Sequence, residues 1–504
     1  MSKKSEVVGV VGAGAMGRGI AQIAAVGGFP VVIWDANGKV AEEAKTFIAD
    51  MLNRAAEKGR MAKEAAADAI ARIMVAGDLQ GFSDCTVIIE AIIERLDIKQ
   101  KLFADLEAIV AETTILASNT SSLSVTAIAA GCQRPERVAG YHFFNPVPLM
   151  KVVEVIDAVR TAPWVSPRLI ALAHAMGHKP VKAQDTPGFL VNHAGRAYNT
   201  EAFRMLGEGI AEPSVIDDIL REAVGFRMGP FELMDLTGLD VSHAVMESVY
   251  TQFYDEPKYR PSALAAARVS AKLFGRKTGE GFYRYEKGEQ IRPAVIPAPD
   301  ARPQAVWLNL AAEKVRRLVS DLASRTGVQV ESGDRPSTGA IAVVTPIGDD
   351  ATTTAADHGL DASRTVAIDP LFGLEKRRTL MTTSVTSPAA RDAMHSLLAS
   401  DGVAVSVIHD SPGFVAQRVV AMIVNIASDI AQQRIATPDD IEAAVKLGLG
   451  YPKAPLEFGD ALGAATVLQI LEAMHGFYGD PRYRPSPWLK RRAKLGVSLL
   501  TRET

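Results

Sequence analysis

Short apolar runs alternate with amphipathic stretches over roughly the first quarter of the chain. Between the runs, apolar side chains recur at helical spacing, as at Ile20, Ile23 and Ala24. Strand-length apolar runs separated by helix-length amphipathic segments are typical of a parallel sheet covered by helices. The pattern therefore predicts a doubly wound α/β fold with strands at residues 7–11, 31–34, 86–90 and 114–118.

The first predicted turn carries a glycine-rich loop with the spacing G-x-G-x-x-G. Gly12, Gly14 and Gly17 lie between a strand and a helix, and Asp35 follows the second strand. In a dinucleotide site the first glycine allows a tight turn, the second lets the pyrophosphate approach the backbone, and the third lets helix and strand pack closely. The acid binds the ribose hydroxyls and repels a 2′-phosphate, which predicts NAD rather than NADP. The alternatives are a plain glycine-rich turn, with Asp35 as a turn or N-cap residue.

Residues 139–157, AGYHFFNPVPLMKVVEVID, combine two apolar runs with a proline-rich turn. The pattern predicts two adjacent strands, yet His142 and Glu154 interrupt their apolar character. A buried carboxylate without a partner is costly or shifts its pKa. Two interpretations follow. Either the side chains face each other as a base and its orienting carboxylate, or His142 is a core residue and Glu154 faces water.

Polar side chains gather where the predicted strands end. Ligands of parallel α/β sheets bind at the carboxyl ends of the strands. This rule brings five side chains near the expected cleft, namely Glu94, Lys99, Asn119, Ser121 and Ser122. Ser121 has a second interpretation, because the sequence NTSSL could instead cap the helix that follows.

Composition and charge narrow the class of protein. The chain has 504 residues, 48% of them hydrophobic and 22% charged, with a net charge of −3. This balance does not suit a nucleic-acid-binding surface, and no apolar run is long enough to span a membrane. The only cysteines, Cys85 and Cys132, have neither metal-ligand spacing nor a disulfide framework, so no metal site and a cytoplasmic location are expected.

Six segments resemble the L-3-hydroxyacyl-CoA dehydrogenase family, in order and at the expected spacing. They are SNTSSL at 118–123, YHFFNP at 141–146, KVVEVI at 151–156, DTPGFLVN at 185–192, GPFELMDLTGLD at 229–240 and KTGEGFYRY at 277–285. The resemblance implies reversible, NAD-linked oxidation of the 3-hydroxyl of an acyl-CoA thioester to the 3-keto form. It also implies a Rossmann domain followed by an all-α domain.

The resemblance also assigns roles to individual residues. The catalytic pair of the family maps onto His142 and Glu154, and its two substrate-orienting groups map onto Ser121 and Asn192. Cofactor-contacting positions of the family map onto Glu94, Lys99, Ser121, Asn145 and Lys277. Two alternatives stay open: Asn145 could be only a turn residue before Pro146. Asn192 could be a surface residue of a helix that begins at Thr186 and Pro187.

The C-terminal half repeats part of the first half. DTPGFLVN at 185–192 recurs as DSPGFVAQ at 410–417, and YRPS at 259–262 recurs at 483–486. At the spacing set by the first of these repeats, Asn192 becomes Gln417 and the positions of His142 and Glu154 fall near Ala367 and Thr379. We therefore expect that both catalytic groups are missing from the second copy, which would act as a scaffold.

The repeat predicts four domains and an internal association. These are a Rossmann domain at 1–184, a helical domain at 185–290, a linker with a degenerate α/β domain at 291–405, and a second helical domain at 406–504. Short members of the family associate through their helical domains. The second helical domain would then supply the partner surface in the same chain, giving a monomer with an internal pseudo-dimer, or else a homodimer.

The resemblance leaves the acyl chain of the acyl-CoA substrate open. Long bacterial members resemble enzymes of phenylacetate-type aromatic catabolism that act on 3-hydroxyadipyl-CoA, and others act on 3-hydroxybutyryl-CoA. One rival is a lysine-dependent β-hydroxyacid dehydrogenase, which would want Lys where Asn192 stands. Another is a non-catalytic NAD- or CoA-binding homologue, for which an intact His142–Glu154 pair has no purpose.

Overall fold

The computed structural model describes residues 6–294 and 297–503 and divides the chain into two units. The first contains the chain up to His193 together with Gln433–Leu449, and the second contains Ala194–Gln432 and the chain from Gly450 onward. Residues 295 and 296 of the predicted linker lie outside the described residues. Within the described parts of the chain, no helix has both the length and the apolar character needed to cross a membrane.

The first unit is built on an eight-stranded sheet with the order β3-β2-β1-β4-β5-β6-β7-β8. Its strands are β1 Val8–Val11, β2 Val31–Trp34, β3 Ile73–Val75, β4 Val87–Glu90, β5 Ile115–Ser118, β6 Val138–Phe143, β7 Val152–Asp157 and β8 Lys179–Gln184. Its helices are α1 Ala15–Val26, α2 Gly38–Glu57, α3 Lys63–Ala71, α4 Leu96–Glu107, α5 Val125–Ala129, α6 Val165–Ala175 and α7 Val191–Ala194. All neighbouring strands are parallel except β6 and β7, and the predicted doubly wound fold is confirmed.

The second unit contains helices and a smaller sheet. Its helices before residue 433 are α8 Arg196–Gly207, α9 Pro213–Asp218, α10 Pro230–Thr237, α11 Leu239–Gln252, α12 Ala263–Ser270, α13 Glu313–Thr326, α14 Ala351–Asp357, α15 Pro388–Ala399 and α16 Val415–Gln432. A hairpin of β9 Arg284–Glu286 and β10 Glu289–Ile291 precedes the sheet strands β11 Ala305–Trp307, β12 Gln329–Glu331, β13 Ala340–Val344, β14 Thr365–Ile368, β15 Arg377–Thr382 and β16 Ala404–Ile408. Their order is β12-β11-β13-β14-β15-β16. The α/β segment expected within residues 291–405 is therefore confirmed.

The helical repeat is visible inside the second unit, where α8 packs against its counterpart α16. The chain ends with α17 Pro438–Ala444, α18 Pro455–Leu462, α19 Ala464–Tyr478 and α20 Pro487–Leu495. Arg260 pairs with Asp480 at 3.6 Å, and the repeat mate of Arg260, Arg484, pairs with Glu256 at 3.5 Å. Exchanging the two helical repeats converts one ion pair into the other. Such reciprocal pairs are expected when two repeats are related by a two-fold axis.

A buried ion network joins the two helical repeats. Glu201 of α8 is fully buried and accepts hydrogen bonds from Arg418 at 2.7 Å and from Arg482 at 3.0 Å. The Tyr483 hydroxyl donates a further hydrogen bond to Glu201 at 2.8 Å. Burial by itself raises the pKa of Glu201, but the two guanidinium groups outweigh it and lower the pKa to about 2.

One segment of the second helical repeat belongs to the first unit. Residues Gln433–Leu449 contain α17, which packs against β8 and β7. The backbone N–H of Gln184, the last residue of β8, donates to the Ile435 carbonyl at 2.9 Å. The predicted helical domain at 406–504 is therefore shared between the two units, because residues 433–449 belong to the first unit and the rest to the second.

Candidate active site

The two residues that interrupt the apolar runs face each other across neighbouring strands. The proline-rich turn between β6 and β7 is short, and a short connection can join only antiparallel neighbours. In the resulting register His142 lies opposite Glu154, and the His142 Nδ1 to Glu154 Oε2 distance is 2.5 Å. Both side chains are buried, so the alternative in which Glu154 faces water is wrong.

The other oxygen of Glu154 is held by backbone amides. Leu190 N and Val191 N donate to Glu154 Oε1 at 2.9 and 2.7 Å. The backbone turns sharply just before them, with φ of 74° at Gly188 and 48° at Phe189. The predicted helix start at Thr186 is therefore wrong, since α7 begins only at Val191. This turn delivers two N–H donors that make a buried carboxylate tolerable.

The pair fixes how the imidazole can act. A carboxylate only accepts hydrogen bonds, so Nδ1 of His142 must donate to Glu154. In the neutral ring Nε2 is then the nitrogen with an available lone pair. Phe144 and Phe189 flank the ring, with centroids 4.5 and 5.9 Å from that of His142. The arrangement suits a general base at Nε2.

Ser121 lies in a turn held by Glu94. The Glu94 Oε1 atom accepts hydrogen bonds from the Thr120 hydroxyl at 2.7 Å, from Ser121 N at 2.9 Å and from Ser122 N at 3.1 Å. Burial raises the pKa of Glu94, but Lys99 and these hydrogen bonds outweigh it and lower the pKa below its usual value. The helix-cap interpretation of Ser121 is wrong, because Ser124 caps α5 through the Ala127 amide.

Lys99 is buried between two carboxylates. Its amine lies 2.5 Å from Glu90 Oε1 and 3.3 Å from Glu94 Oε2, and only 1% of its side chain is exposed. Glu90 also accepts from the Ser118 hydroxyl at 2.6 Å. Both carboxylates therefore connect Lys99 to the turn that carries Ser121. Sequence reasoning missed Glu90, although a charge that ends the apolar strand VIIE was a signal for it.

The remaining polar residues predicted for the site lie in different parts of the structure. Asn119 Oδ1 accepts from Phe143 N at 2.8 Å and so ties β6 to the end of β5. Asn145 is exposed just after β6, and Asn192 is half-buried in α7. Lys277 lies in the second unit, where its amine is 2.5 Å from the Asp240 carboxylate.

The glycine-rich loop has the geometry of a dinucleotide site. Gly12 has φ of 97°, and a Cβ on Gly17 would lie 1.7 Å from the Gly12 carbonyl oxygen, so both positions require glycine. A Cβ on Gly14 would meet nothing within 4 Å, which leaves an open space before the N-terminus of α1. Oriented N–H groups of a helix N-terminus at such a space suit a pyrophosphate.

Asp35 closes the other side of this loop. Its carboxylate accepts from Ala13 N at 2.8 Å and from Asn37 N at 3.0 Å. Asn37 caps α2, so the N-cap alternative for Asp35 is wrong. The residue is half-buried and its position at the end of β2 fits the expected ribose contact.

The sheet of the second unit contains positions that correspond to His142 and Glu154. Glu154 pairs with Val181 in β8, and their repeat counterparts Thr379 and Ser406 pair in the same way between β15 and β16. Asp369 N donates to the Thr379 carbonyl, so Asp369 stands opposite Thr379 as His142 stands opposite Glu154. The predicted equivalence of His142 with Ala367 is therefore wrong.

The second sheet therefore has a titratable residue, Asp369, at the position that corresponds to His142. Burial raises the pKa of Asp369 to about 6. Gln417, the counterpart of Asn192, donates to Asp369 Oδ1 at 3.0 Å. An aspartate and a threonine therefore stand where the first copy has His142 and Glu154, which agrees with the expectation that both catalytic groups are missing from the second copy. The Asp369 and Gln417 side chains bind each other and leave no base oriented by a carboxylate.

Comparison with known families identifies three stretches of the chain. Residues 7–186 match the family described as 3-hydroxyacyl-CoA dehydrogenase, NAD binding domain. Residues 188–285 and again 413–499 match the family described as 3-hydroxyacyl-CoA dehydrogenase, C-terminal domain. The double match confirms the internal repeat.

Individual proteins are similar over the whole chain or its first half. The 3-hydroxyadipyl-CoA dehydrogenase of Escherichia coli strain K12 is 37% identical over 97% of this chain and 98% of its own. A probable 3-hydroxybutyryl-CoA dehydrogenase of Deinococcus radiodurans is 43% identical over 55% of this chain and 99% of its own. The crystal structure of 3-hydroxybutyryl-CoA dehydrogenase from Escherichia coli K12 superposes with a TM-score of 0.86 at 35% identity, covering 98% of this chain and 99% of that one.

Proposed function

Because the chain belongs to the 3-hydroxyacyl-CoA dehydrogenase family, whose members are NAD-linked oxidoreductases, we propose that it oxidises the 3-hydroxyl of a (3S)-3-hydroxyacyl-CoA to the 3-oxo group. The single observation that carries this proposal is the buried His142–Glu154 pair. Oxidation of an alcohol needs a base for the hydroxyl proton, and the pair supplies one with a fixed tautomer.

His142 and Glu154 have different roles in the proposed reaction. His142 Nε2 takes the hydroxyl proton, and Glu154 stabilises the imidazolium that forms while keeping Nδ1 as the donor. Ser121 and Asn192 hydrogen-bond the reacting oxygen and hold C3 in position. The cofactor NAD, held by the glycine-rich loop and Asp35, would supply the acceptor for the hydride from C3. Loss of the proton and the hydride together turns the alcohol into a ketone.

The cofactor side of the proposal rests on the glycine loop. Gly12, Gly14 and Gly17 would hold the pyrophosphate at the N-terminus of α1, and Asp35 would bind the ribose hydroxyls. Asn145 and Lys277 remain proposed cofactor contacts, as does Glu94. The burial of Lys99 between Glu90 and Glu94 supports an indirect role, in which Lys99 fixes the turn that presents Ser121.

For the substrate, we propose 3-hydroxyadipyl-CoA first and 3-hydroxybutyryl-CoA second. The full-length similarity to the 3-hydroxyadipyl-CoA dehydrogenase supports the first, and would place the protein in aromatic catabolism of the phenylacetate type. The similarity to a crystal structure described as a 3-hydroxybutyryl-CoA dehydrogenase supports the second. A lysine-dependent β-hydroxyacid dehydrogenase is disfavoured, since Asn192 stands where that chemistry needs a lysine.

Steady-state kinetics test both parts of this proposal. NADH formation is followed with 3-hydroxyadipyl-CoA, 3-hydroxybutyryl-CoA and a long-chain 3-hydroxyacyl-CoA, and we expect the highest kcat/KM with 3-hydroxyadipyl-CoA. A higher kcat/KM with 3-hydroxybutyryl-CoA would replace the first substrate by the second. Folded protein that binds NAD but forms no NADH with any of them would instead be a non-catalytic binding homologue.

We also propose that the chain is a monomer with an internal pseudo-dimer. The reciprocal Arg260–Asp480 and Arg484–Glu256 pairs support this, because they resemble the self-complementary contacts of a two-fold interface. A homodimer of the whole chain is the alternative. The free cysteines Cys85 and Cys132 support a reducing compartment such as the cytoplasm.

A further inference from the structure

The second helical repeat contributes a segment to the unit that contains the His142–Glu154 pair. This segment, residues 433–449, consists of α17 and the π-helical turn Val445–Leu449 that follows it. It packs against β7, the strand of Glu154, and against β8 beyond it. The unit with the proposed active site is therefore completed by a piece of chain from the copy that lacks the catalytic groups.

Gly448 of this segment packs against Val191, one of the two residues that support Glu154. A Cβ built on Gly448 would lie 3.1 Å from both Cγ atoms of Val191 and 3.6 Å from Cγ1 of Val152. Contacts of 3.1 Å are tighter than ordinary packing, so a side chain at residue 448 would require the Val191 side chain to shift by a few tenths of an ångström. Val191 is the residue whose N–H donates to Glu154 at 2.7 Å.

The first helical repeat has an alanine at the position that corresponds to Gly448. The repeat counterpart of Gly448 is Ala223, in the π-helical turn Ile219–Val224. That turn packs against β15 of the second sheet, where Arg377 and Glu222 are 2.8 Å apart. A helix interior normally favours alanine over glycine by about 1 kcal/mol. The second repeat, which packs against the strand of Glu154, therefore has glycine at this position, and the first repeat has alanine.

We infer that the segment 433–449 is a positioning element of the active site, in which Gly448 sets the place of Val191 and thereby the hydrogen bonds to Glu154. Gly448 touches neither substrate nor cofactor in this role. It acts through the Val191 backbone, which keeps the carboxylate aligned with His142. The inference rests on the proposed function, because it assigns a purpose to Glu154.

The test uses graded substitutions in the full chain. Gly448→Ala adds a Cβ and Gly448→Val adds two further methyl groups, while Gly476→Ala in α19 is the matched control, since a Cβ there meets nothing within 4 Å. We expect kcat to fall about tenfold or more in Gly448→Val, with a smaller fall in Gly448→Ala and none in the control. The KM for NAD should stay within about twofold of the wild type, because the glycine loop is unchanged.

Two readouts distinguish positioning from a general packing defect. A Glu154 that has lost an amide donor carries more negative charge at the oxygen facing His142, so the low-pH limb of kcat/KM should move to higher pH. Peptides covering residues 187–194 should exchange their amide hydrogens faster in Gly448→Val. Combining Gly448→Val with Val191→Ala makes room for the new side chain, and we expect part of the lost kcat to return.

The outcomes separate this inference from the proposed function. Wild-type protein without turnover on any 3-hydroxyacyl-CoA contradicts the proposed function, whatever Gly448 does. Active wild type together with a Gly448→Val variant of unchanged kcat and unchanged exchange overturns the inference alone. A loss of kcat that comes with an equal loss of NAD affinity, an unmoved pH limb and no rescue by Val191→Ala would also overturn it, since that pattern indicates only disturbed packing.

Discussion

At the residue scale, the site depends on how a buried carboxylate is satisfied. Glu154 is fully buried between the valines of β7, and its two oxygens receive one imidazole and two backbone N–H donors. Without such donors the desolvation of a charged group would outweigh the packing of its neighbours. The same bonds that make the residue tolerable hold it in line with His142, so stability and catalysis need the same geometry.

Replacing Glu154 by Gln tests this alignment. The amide oxygen of Gln can still accept from Leu190 and Val191, but its NH2 group then faces Nδ1 of His142 and favours the wrong tautomer. We expect kcat to fall at least about a hundredfold while the Kd for NAD changes only about two- to threefold. Stopped-flow turnover and NAD titration measure the two quantities. Glu136→Gln, at an exposed position of the same unit, is the control, and wild-type turnover in Glu154→Gln would remove this carboxylate from the mechanism.

Lys99 provides a second test at this scale. Lys99→Met leaves Glu90 buried without its ammonium partner, and an unpaired buried charge costs about 3–5 kcal/mol of unfolding free energy. The nearby Lys101→Met removes an exposed pair with Asp105 and should cost less than about 0.5 kcal/mol. Urea unfolding of both variants measures the difference. Equal stabilities would show that Lys99 does not hold the turn of Ser121.

The sequence predicted the pair itself but not its supports. His142 and Glu154 are visible because charged or titratable residues interrupt apolar runs and a short turn joins the runs. The Leu190 and Val191 amides come from 36 and 37 residues later in the chain, and backbone N–H groups have no signature in the sequence. Their approach depends on the left-handed backbone at Gly188 and Phe189, which tertiary packing imposes on a phenylalanine.

At the element scale, strand register decides which residues are equivalent between the two sheets. A constant repeat spacing places Ala367 at the position of His142, whereas the observed pairing of β14 with β15 places Asp369 there. Connections between strands tolerate insertions, while a shift within a strand turns every side chain to the other face. Motif spacing is therefore reliable inside the helical repeat and unreliable across the loops of the degenerate sheet.

The ion network between α8 and α16 predicts that the stability of the protein depends on pH. Because the pKa of Glu201 is lowered to about 2 from its ordinary value of 4.5, the folded chain binds fewer protons than the unfolded chain between these values. Its contribution to stability is therefore complete above about pH 4.5 and is lost as the pH falls toward about 2. Urea midpoints measured from pH 5 to pH 3 should fall for the wild type.

The Glu201→Gln variant isolates this contribution. It should be less stable than the wild type at neutral pH, because two buried guanidinium groups lose their anion. Its urea midpoint should also fall less steeply on acidification, since the residue no longer takes up a proton. Parallel pH profiles of the two proteins would contradict a role for Glu201 in coupling the two helices.

At the scale of the whole molecule, the duplication explains why a chain with one proposed site has 504 residues. The repeat and its helical content were readable from the motifs, and the family match to residues 188–285 and 413–499 agrees with them. The placement of residues 433–449 in the first unit was not readable. Sequence similarity identifies which segments are copies of each other, but the sheet that each segment packs against is set by contacts far apart in the chain.

Truncation after residue 290 tests whether the second half is needed. The shortened chain would lose the surface that covers α8 as well as segment 433–449, which packs against β7 and β8. Exposed apolar helix faces associate, so light scattering after size exclusion should find dimers or aggregates. In a monomeric fraction kcat should be at least about tenfold below the full chain, because Val191 loses its contact with Gly448.

A dimeric fraction should be more active than the monomeric one, because each copy would supply its π-helical turn Ile219–Val224, with Ala223 in place of Gly448, to its neighbour. A monodisperse monomer with the kcat of the full chain would show that the second half neither replaces a partner subunit nor positions Glu154.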